Sequence, residues 1–358
     1  MRAAVYVGQG QPLSIEDVTP APPGPGDVVV EIGASGVCHS DLSVVNGYLR
    51  MPDGVVLGHE AAGRVVEVGS AVTRVRKGDR VIASFVPACG TCWYCEQDRS
   101  NLCDFEGRAA GATRGTRPGG SPYLAFTGLG TFAETFTASE HSVVRIETDL
   151  PDEQLALIGC GVTTGLGAAL NTARVEPGAS VAVVGCGGVG QAIVQGARIA
   201  GASRIVAIDR VAMKREQALA FGATDAIDPS DGDASRQVKR LTGGRGADYA
   251  FEAVGLPETI REAWAMARKG GTVVVVGMAR VDAQVTLPAF GLFYDEKRIL
   301  GSKYGSARVR RDFQRFVGLI EAGRLDVGAM VSRRIRLEEV NDAFRAMESG
   351  EVIRSVIA

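Results

Sequence analysis

The chain has 358 residues, 46% of them apolar, with 47 glycines and a formal charge of −2. That charge gives no electrostatic reason to expect nucleic acid or an anionic membrane as partner. The longest apolar run, "TVVVVGM" from Thr272, is strand length, far short of the roughly 20 residues that span a bilayer. With no apolar signal-peptide core in "MRAAVYVGQG", a soluble, cytoplasmic protein of two domains is expected.

The first half consists of short β-branched runs between glycine-rich turns: "DVVVEIGASG", "AAGRVVEVGS", "GDRVIASFV". This spacing predicts a compact, mostly β, partly barrel-like domain. Near Pro151 the texture changes. "SVAVVGCGGVGQAIVQGARIAGASRIVAID" reads strand, glycine turn, helix, strand, and the alternation continues. "ADYAFEAVG" follows as strand, "PETIREAWAMARKGG" as a helix ending in glycine, and "TVVVVGM" as strand. Unbroken apolar runs suit parallel strands covered on both faces, so an α/β doubly wound sheet is predicted here. From about Ser302 the chain is polar and helical, closing on the short strand "IRSVIA".

Seven cysteines stand at 38, 89, 92, 95, 103, 160 and 186. In a large chain of this kind, clustered cysteines point to metal or catalysis before disulfides. "CGTCWYCEQDRSNLC" supplies Cys89, Cys92, Cys95 and Cys103, which can close a tetrahedron on a structural zinc with no open position. An iron–sulfur cluster uses the same ligand count, and a zinc-ribbon binding module the same loop.

"VAVVGCGGVG" sets Gly185, Gly187 and Gly190 as G-x-G-x-x-G between a strand and a helix, with Gly188 and Val189 inside it. The three glycines permit the turn, the approach of a pyrophosphate and close helix packing. Asp209 ends the next strand, where a carboxylate binds the adenosine ribose hydroxyls and repels a 2′-phosphate, favouring NAD over NADP, with Arg210 next door acting the other way. Cys186 reads as a small packing residue.

Cys38 in "GVCHSDL", His59 in "LGHEAAG" and Cys160 in "LIGCGVTTGLGAAL", with the lobe and glycine loop in this order, strongly resemble the zinc-dependent alcohol dehydrogenases of the medium-chain dehydrogenase/reductase superfamily. The resemblance runs from "GPGDVVVEI" to "SGEVIRSVI". It implies a GroES-like catalytic domain over 1–161 and 303–358 and a Rossmann cofactor domain over 162–302. It also implies a catalytic zinc on Cys38, His59 and Cys160 with an open fourth position. Asp41 would orient His59 from behind, and Glu60 would be the acidic neighbour of the metal.

On the same resemblance, His39 and Arg354 face the cofactor pyrophosphate and Lys214 a ribose, while Val254, Val276 and Met278 belong to the cofactor site. Phe85, Leu102, Phe132 and Met278 stand where relatives line a substrate pocket, which favours apolar or aromatic primary alcohols. The implied reaction is reversible oxidation of such an alcohol to its aldehyde, with hydride passing to NAD. Ser40 would take the alcohol proton, although by itself it reads as a helix N-cap. Ser43 departs from the histidine many relatives carry at the end of the proton relay. Association as a homodimer or homotetramer is expected, around "GGTVVVVGM", by extension of the cofactor-domain sheet.

Two other readings stand beside this one. Arg108, Arg114 and Arg117 in "EGRAAGATRGTRPGGSPY" could receive a carboxylate-bearing substrate, as in a dehydrogenase for a thiol adduct of formaldehyde or a nitrosothiol reductase. A zinc-ribbon nucleic-acid-binding or redox-sensing protein is the second. The net charge opposes it, and Arg308, Arg311 and Arg315 read as one solvated helix face.

Overall fold

The computed structural model describes residues 1–107 and 111–358. They form two compact units: Met1–Cys160 with Arg308–Ala358, and Gly161–Ala307.

The first unit is built on mostly antiparallel sheets. Its organising strand, Asp27–Gly36, pairs with Ala61–Val68, Thr135–Ser139 and Arg354–Ile357 within a seven-stranded sheet. The β-branched run from Val28 to Ile32 suits this half-buried surface, with Val28 and Val30 fully buried. A six-stranded sheet in the order Ser14–Asp17, Arg2–Tyr6, Val55–Val56, Pro122–Ala125, Thr113–Thr116, Thr19–Pro20 completes the partly barrel-like, GroES-like architecture.

The second unit carries six parallel strands in the order Asp225–Ile227, Arg204–Ile208, Ser180–Val184, Ala247–Glu252, Ala267–Val275, Arg298–Gly301. Numbered along the chain this is 3-2-1-4-5-6, the Rossmann order. Val181, Ala182 and Val183 are completely buried, as an unbroken apolar strand between helical layers must be.

Three expectations are corrected. The helix expected to run to the double glycine stops at Met266, because Ala267 turns extended and pairs with Ala247. The "TVVVVGM" strand is flanked on both sides, so it has no free edge; the outer strand is Arg298–Gly301. The helix after Gly36 spans His39–Val45 with Cys38, not Ser40, as its N-cap.

One helical stretch, Asp152–Ala173, is long and apolar enough to cross a membrane, but 78% of its apolar window is buried inside the protein. It is interrupted by a π-helical turn at Ile158–Val162. Such bulges recur at functional sites.

The glycine turn is sterically tight. A Cβ on Gly190 would fall 1.9 Å from the Gly185 carbonyl oxygen. Gly190→Ala is therefore expected to destabilise the second unit by about 1–3 kcal/mol through overpacking, read as a shifted urea midpoint.

Candidate metal and cofactor sites

The Asp27–Gly36 strand delivers Cys38 to the start of a short helix, where Asp41 turns back on it. Asp41 is fully buried, and its carboxylate serves three donors. It accepts the Cys38 N–H at 3.2 Å on Oδ2, and the Gly58 N–H at 3.0 Å on Oδ1. Oδ1 also meets His59 Nδ1 at 3.1 Å. Nδ1 is thereby engaged, and Nε2 is the nitrogen left for a metal. His59 is further held by edge-on contacts with Phe85 and Phe126, at centroid distances of 5.7 and 5.5 Å.

Gly58 has φ +89°, and a Cβ there would sit 2.5 Å from the Phe132 nitrogen. Only glycine allows this turn into His59. Cys160 lies in the π-helical turn. Gly159 lets that helix approach the Arg80–Ala83 strand, since its Cβ would be 2.9 Å from the Ala83 carbonyl oxygen. Cys38, His59, Glu60 and Cys160 thus place their ligand atoms within 4.8 Å of one another, all buried.

Two thiols, an imidazole and a carboxylate at this spacing fit a tetrahedral zinc, which takes sulfur at about 2.3 Å and nitrogen at about 2.0 Å. One Glu60 oxygen makes a buried ion pair with the Arg354 guanidinium, and its Oε1 has no hydrogen-bond partner among the described residues. The remaining three ligands leave one position for a small molecule. The Cys160 thiol and His59 hold the Cys38 thiol well below its ordinary range. Burial lifts the Glu60 carboxyl to about 7 against the pull of Arg354. Gly36 makes room for the pair: a Cβ there would be 2.3 Å from Glu60 Oε2 and 3.1 Å from the Arg354 guanidinium.

The four-cysteine lobe has a second matching geometry. Cys89 and Cys95 sulfurs are 3.8 Å apart, and those of Cys92 and Cys103 are 3.9 Å apart. Two sulfurs about 2.3 Å from one tetrahedral ion are separated by about 3.8 Å. Sulfurs on different irons of a cluster would stand farther apart, so a single ion fits better. Burial alone would raise the Cys89 thiol, but N–H groups of Thr91 and Cys92 bring it to about 6.

The helix Val309–Glu321 braces this lobe. Arg310 donates to the Ala88 carbonyl and lies 3.4 Å from His141 Nδ1. Arg308 pairs with Asp98 at 3.0 Å and Arg311 with the buried Asp312 at 2.8 Å, while both arginines stay solvent-facing, as expected of a solvated helix face.

At the glycine loop, Gly187 caps the Gly188–Ala200 helix, with Val189 in its first turn and Gly190 buried against the strand. Free N–H groups at such a helix start suit a pyrophosphate. Asp209 accepts the Cys186 N–H on Oδ2 at 2.7 Å and the Val211 N–H on Oδ1 at 2.9 Å, so its carboxylate stands against the loop. Cys186 is fully buried, and burial raises its thiol. Lys214 is half-buried in the next helix.

The sequence reasoning missed Gln191. Its buried side-chain amide donates to the Cys186 carbonyl at 2.9 Å and the Lys214 carbonyl at 2.8 Å, joining loop to helix. The available signal was a glutamine on the core face of an apolar helix. Val254 and Met278 are 45% and 47% exposed, and Val276 is half-buried just past the end of the Ala267–Val275 strand.

His39 is exposed, whereas Ser40 is half-buried with its Oγ 3.8 Å from Cys38 Sγ. Phe85 and Leu102 are half-buried. Phe132 has no exposed surface: it packs with Leu57, Phe126 and Phe344 in the core, so it presents nothing to a substrate here. Arg114 is buried and pairs with Asp27 at 3.5 Å, and Arg117 grips Glu16 through two bonds of 2.8 and 2.6 Å. Both are structural cations, while Arg108 lies outside the described residues.

Family models agree with this geometry. A model described as "alcohol dehydrogenase GroES-like domain" matches residues 24–148, and one described as "zinc-binding dehydrogenase" matches 188–322. The chain is 42% identical to the putative alcohol dehydrogenase D of Mycobacterium tuberculosis, covering 99% of this chain and 98% of that protein. It is 40% identical to the S-(hydroxymethyl)glutathione dehydrogenase of Synechocystis sp., covering 99% of each. Among solved structures, the benzyl alcohol dehydrogenase of Acinetobacter calcoaceticus superposes with a TM-score of 0.92 at 28% identity, covering 99% of this chain and 98% of that one.

Asp41→Asn removes the charge behind His59. It is expected to weaken zinc binding at the Cys38–His59–Cys160 cluster about 10–100-fold. Chelator competition would read this, with metal in the four-cysteine lobe as internal control.

Proposed function

Because this chain belongs to the zinc-dependent alcohol dehydrogenases of the medium-chain dehydrogenase/reductase superfamily, we propose that it reversibly oxidises primary apolar or aromatic alcohols with NAD, carrying two zinc ions. The observation that carries the reading is the buried meeting of Cys38, His59 and Cys160, with Asp41 fixing the imidazole between them. Zinc held there supplies a Lewis acid that makes an alcohol proton acidic near neutral pH. The Ser40 hydroxyl, beside Cys38, would accept that proton while passing its own onward. Ser43, in the same helix, is a poor base near pH 7, so the proton leaves through water. The Arg354 guanidinium, ion-paired with Glu60, favours the thiolate forms of Cys38 and Cys160, while the Glu60 carboxylate opposes that of Cys160. The second zinc, closed by the four lobe cysteines, is structural.

The Asp209 carboxylate at the end of its strand supports NAD, since it would repel a 2′-phosphate. The nearby Arg215 Nη1 is engaged by Asp228 at 2.9 Å and two carbonyls, whereas Arg210 beside Asp209 is exposed and would favour a 2′-phosphate. Half-buried Phe85 against His59, and the structural likeness to a benzyl alcohol dehydrogenase, support an apolar or aromatic substrate. The 40% identical S-(hydroxymethyl)glutathione dehydrogenase favours a thiol-adduct substrate as second reading, although Arg114 and Arg117 are committed to structural pairs. Seven free cysteines suit a reducing cytoplasm.

A homodimer is the natural assembly. The Arg298–Gly301 strand ends its sheet, and the preceding helix, Ala289–Tyr294, carries Phe290, Phe293 and Tyr294, which are 70%, 79% and 58% exposed. Such an apolar open edge invites a second copy across a two-fold axis.

Metal analysis should return two zincs per chain. Benzyl and aliphatic alcohols should turn over with NAD⁺ and at least about tenfold less efficiently with NADP⁺. Activity confined to formaldehyde supplied with a low-molecular-weight thiol would move the assignment to the adduct. For the assembly, light scattering should find a dimer that Phe293→Asp converts to monomer; a monomeric parent would refute the interface.

A further inference from the structure

Glu252 ends the Ala247–Glu252 strand, next to Val184 on one side and Val275 on the other. It is completely buried, an unusual place for a carboxylate unless several donors hold it. One oxygen, Oε1, accepts three hydrogen bonds: from the Val254 N–H at 2.9 Å, the Gly255 N–H at 2.6 Å and the Thr259 hydroxyl at 2.7 Å. Its backbone carbonyl accepts the Val276 and Gly277 N–H groups at 2.8 and 3.0 Å. A single residue therefore ties two loops, one leaving its own strand and one leaving the neighbouring strand.

These loops are packed against each other without spare room. A Cβ on Gly277 would fall 2.2 Å from the Gly255 nitrogen and 2.8 Å from Glu252 Oε2. A Cβ on Gly255 would fall 2.5 Å from the Met278 carbonyl oxygen. A Cβ on Gly185, in the dinucleotide loop, would fall 2.5 Å from the Val254 side chain. Glu252 Oε2 has no hydrogen-bond partner among the described residues. All three loops leave the carboxyl ends of parallel strands, where doubly wound sheets bind their ligands.

We propose that Glu252 is the positioning residue of the cofactor site, holding the 253–255 and 276–278 loops against the glycine loop so that Val254 and Met278 are presented to the dinucleotide. The inference rests on the nicotinamide-cofactor reading above. Glu252 acts through the backbone it fixes: a charged acceptor shared by three donors holds them more strongly than a neutral one.

The test uses the full-length zinc-loaded enzyme and NADH titrated by fluorescence. Glu252→Gln keeps the side chain's shape and removes its charge. It is expected to weaken NADH binding about tenfold, the scale of one charge-assisted hydrogen bond. Thr259→Val removes one of the three donors and is expected to weaken binding severalfold. In both, zinc content should match the parent. Parental NADH affinity in Thr259→Val, or in a folded Glu252→Gln, would overturn the proposal; so would a lowered melting temperature with unchanged affinity. Should Glu252→Gln fail to fold, Thr259→Val decides by itself. A parent enzyme that binds neither NADH nor NADPH would instead refute the cofactor reading.

Discussion

The first unit depends on one buried anion. Asp41 has no exposed surface, and a carboxylate removed from water is tolerated only when its oxygens are hydrogen-bonded. Its partners are the amide of one candidate ligand, Cys38, the amide of the glycine preceding another, and the ring of that second ligand, His59. The demand that this charge be satisfied thus closes the helix start, the left-handed Gly58 turn and the imidazole orientation into one arrangement. Breaking any of the three contacts would loosen the metal site through the other two. The cluster is therefore better described as a network around Asp41 than as three ligands in a row.

The second unit repeats the principle with Glu252, whose buried carboxylate gathers backbone donors instead of metal ligands. In both places a buried charge imposes shape on loops that sheet pairing alone would leave underdetermined. Glycine allows the close approach: Gly58 beside the first anion, Gly255 and Gly277 around the second. These glycines have different reasons from Gly190, which admits the helix to the glycine turn.

Ion pairs and hydrogen bonds also assign structural work to basic residues of the first unit. Arg114 and Arg117 hold their loop to Asp27 and Glu16, and Arg308 and Arg310 brace the four-cysteine lobe. The Arg117 guanidinium holds the Glu16 carboxyl below its ordinary range. Stability from that pair is present above the unfolded carboxyl's pKa and fades as pH falls through the lowered value. A charge read from sequence has no visible partner, so it looks available. The charged partner here lies as far as 210 residues away.

Residue type and spacing alone determined the four-cysteine lobe, the glycine loop with Asp209, and the alternation of strand and helix after residue 180. Each is a local pattern whose chemistry acts over a few residues. The resemblance added Cys38, His59, Cys160 and Asp41, which no spacing connects. Only the tertiary structure decided that Glu60 belongs to Arg354, that Phe132 is core, and that Gln191 and Glu252 join separate loops. It also moved the open sheet edge from the "TVVVVGM" strand to Arg298–Gly301. These are facts of pairing between distant segments. A buried polar side chain looks like any other polar letter until the fold shows which donors surround it.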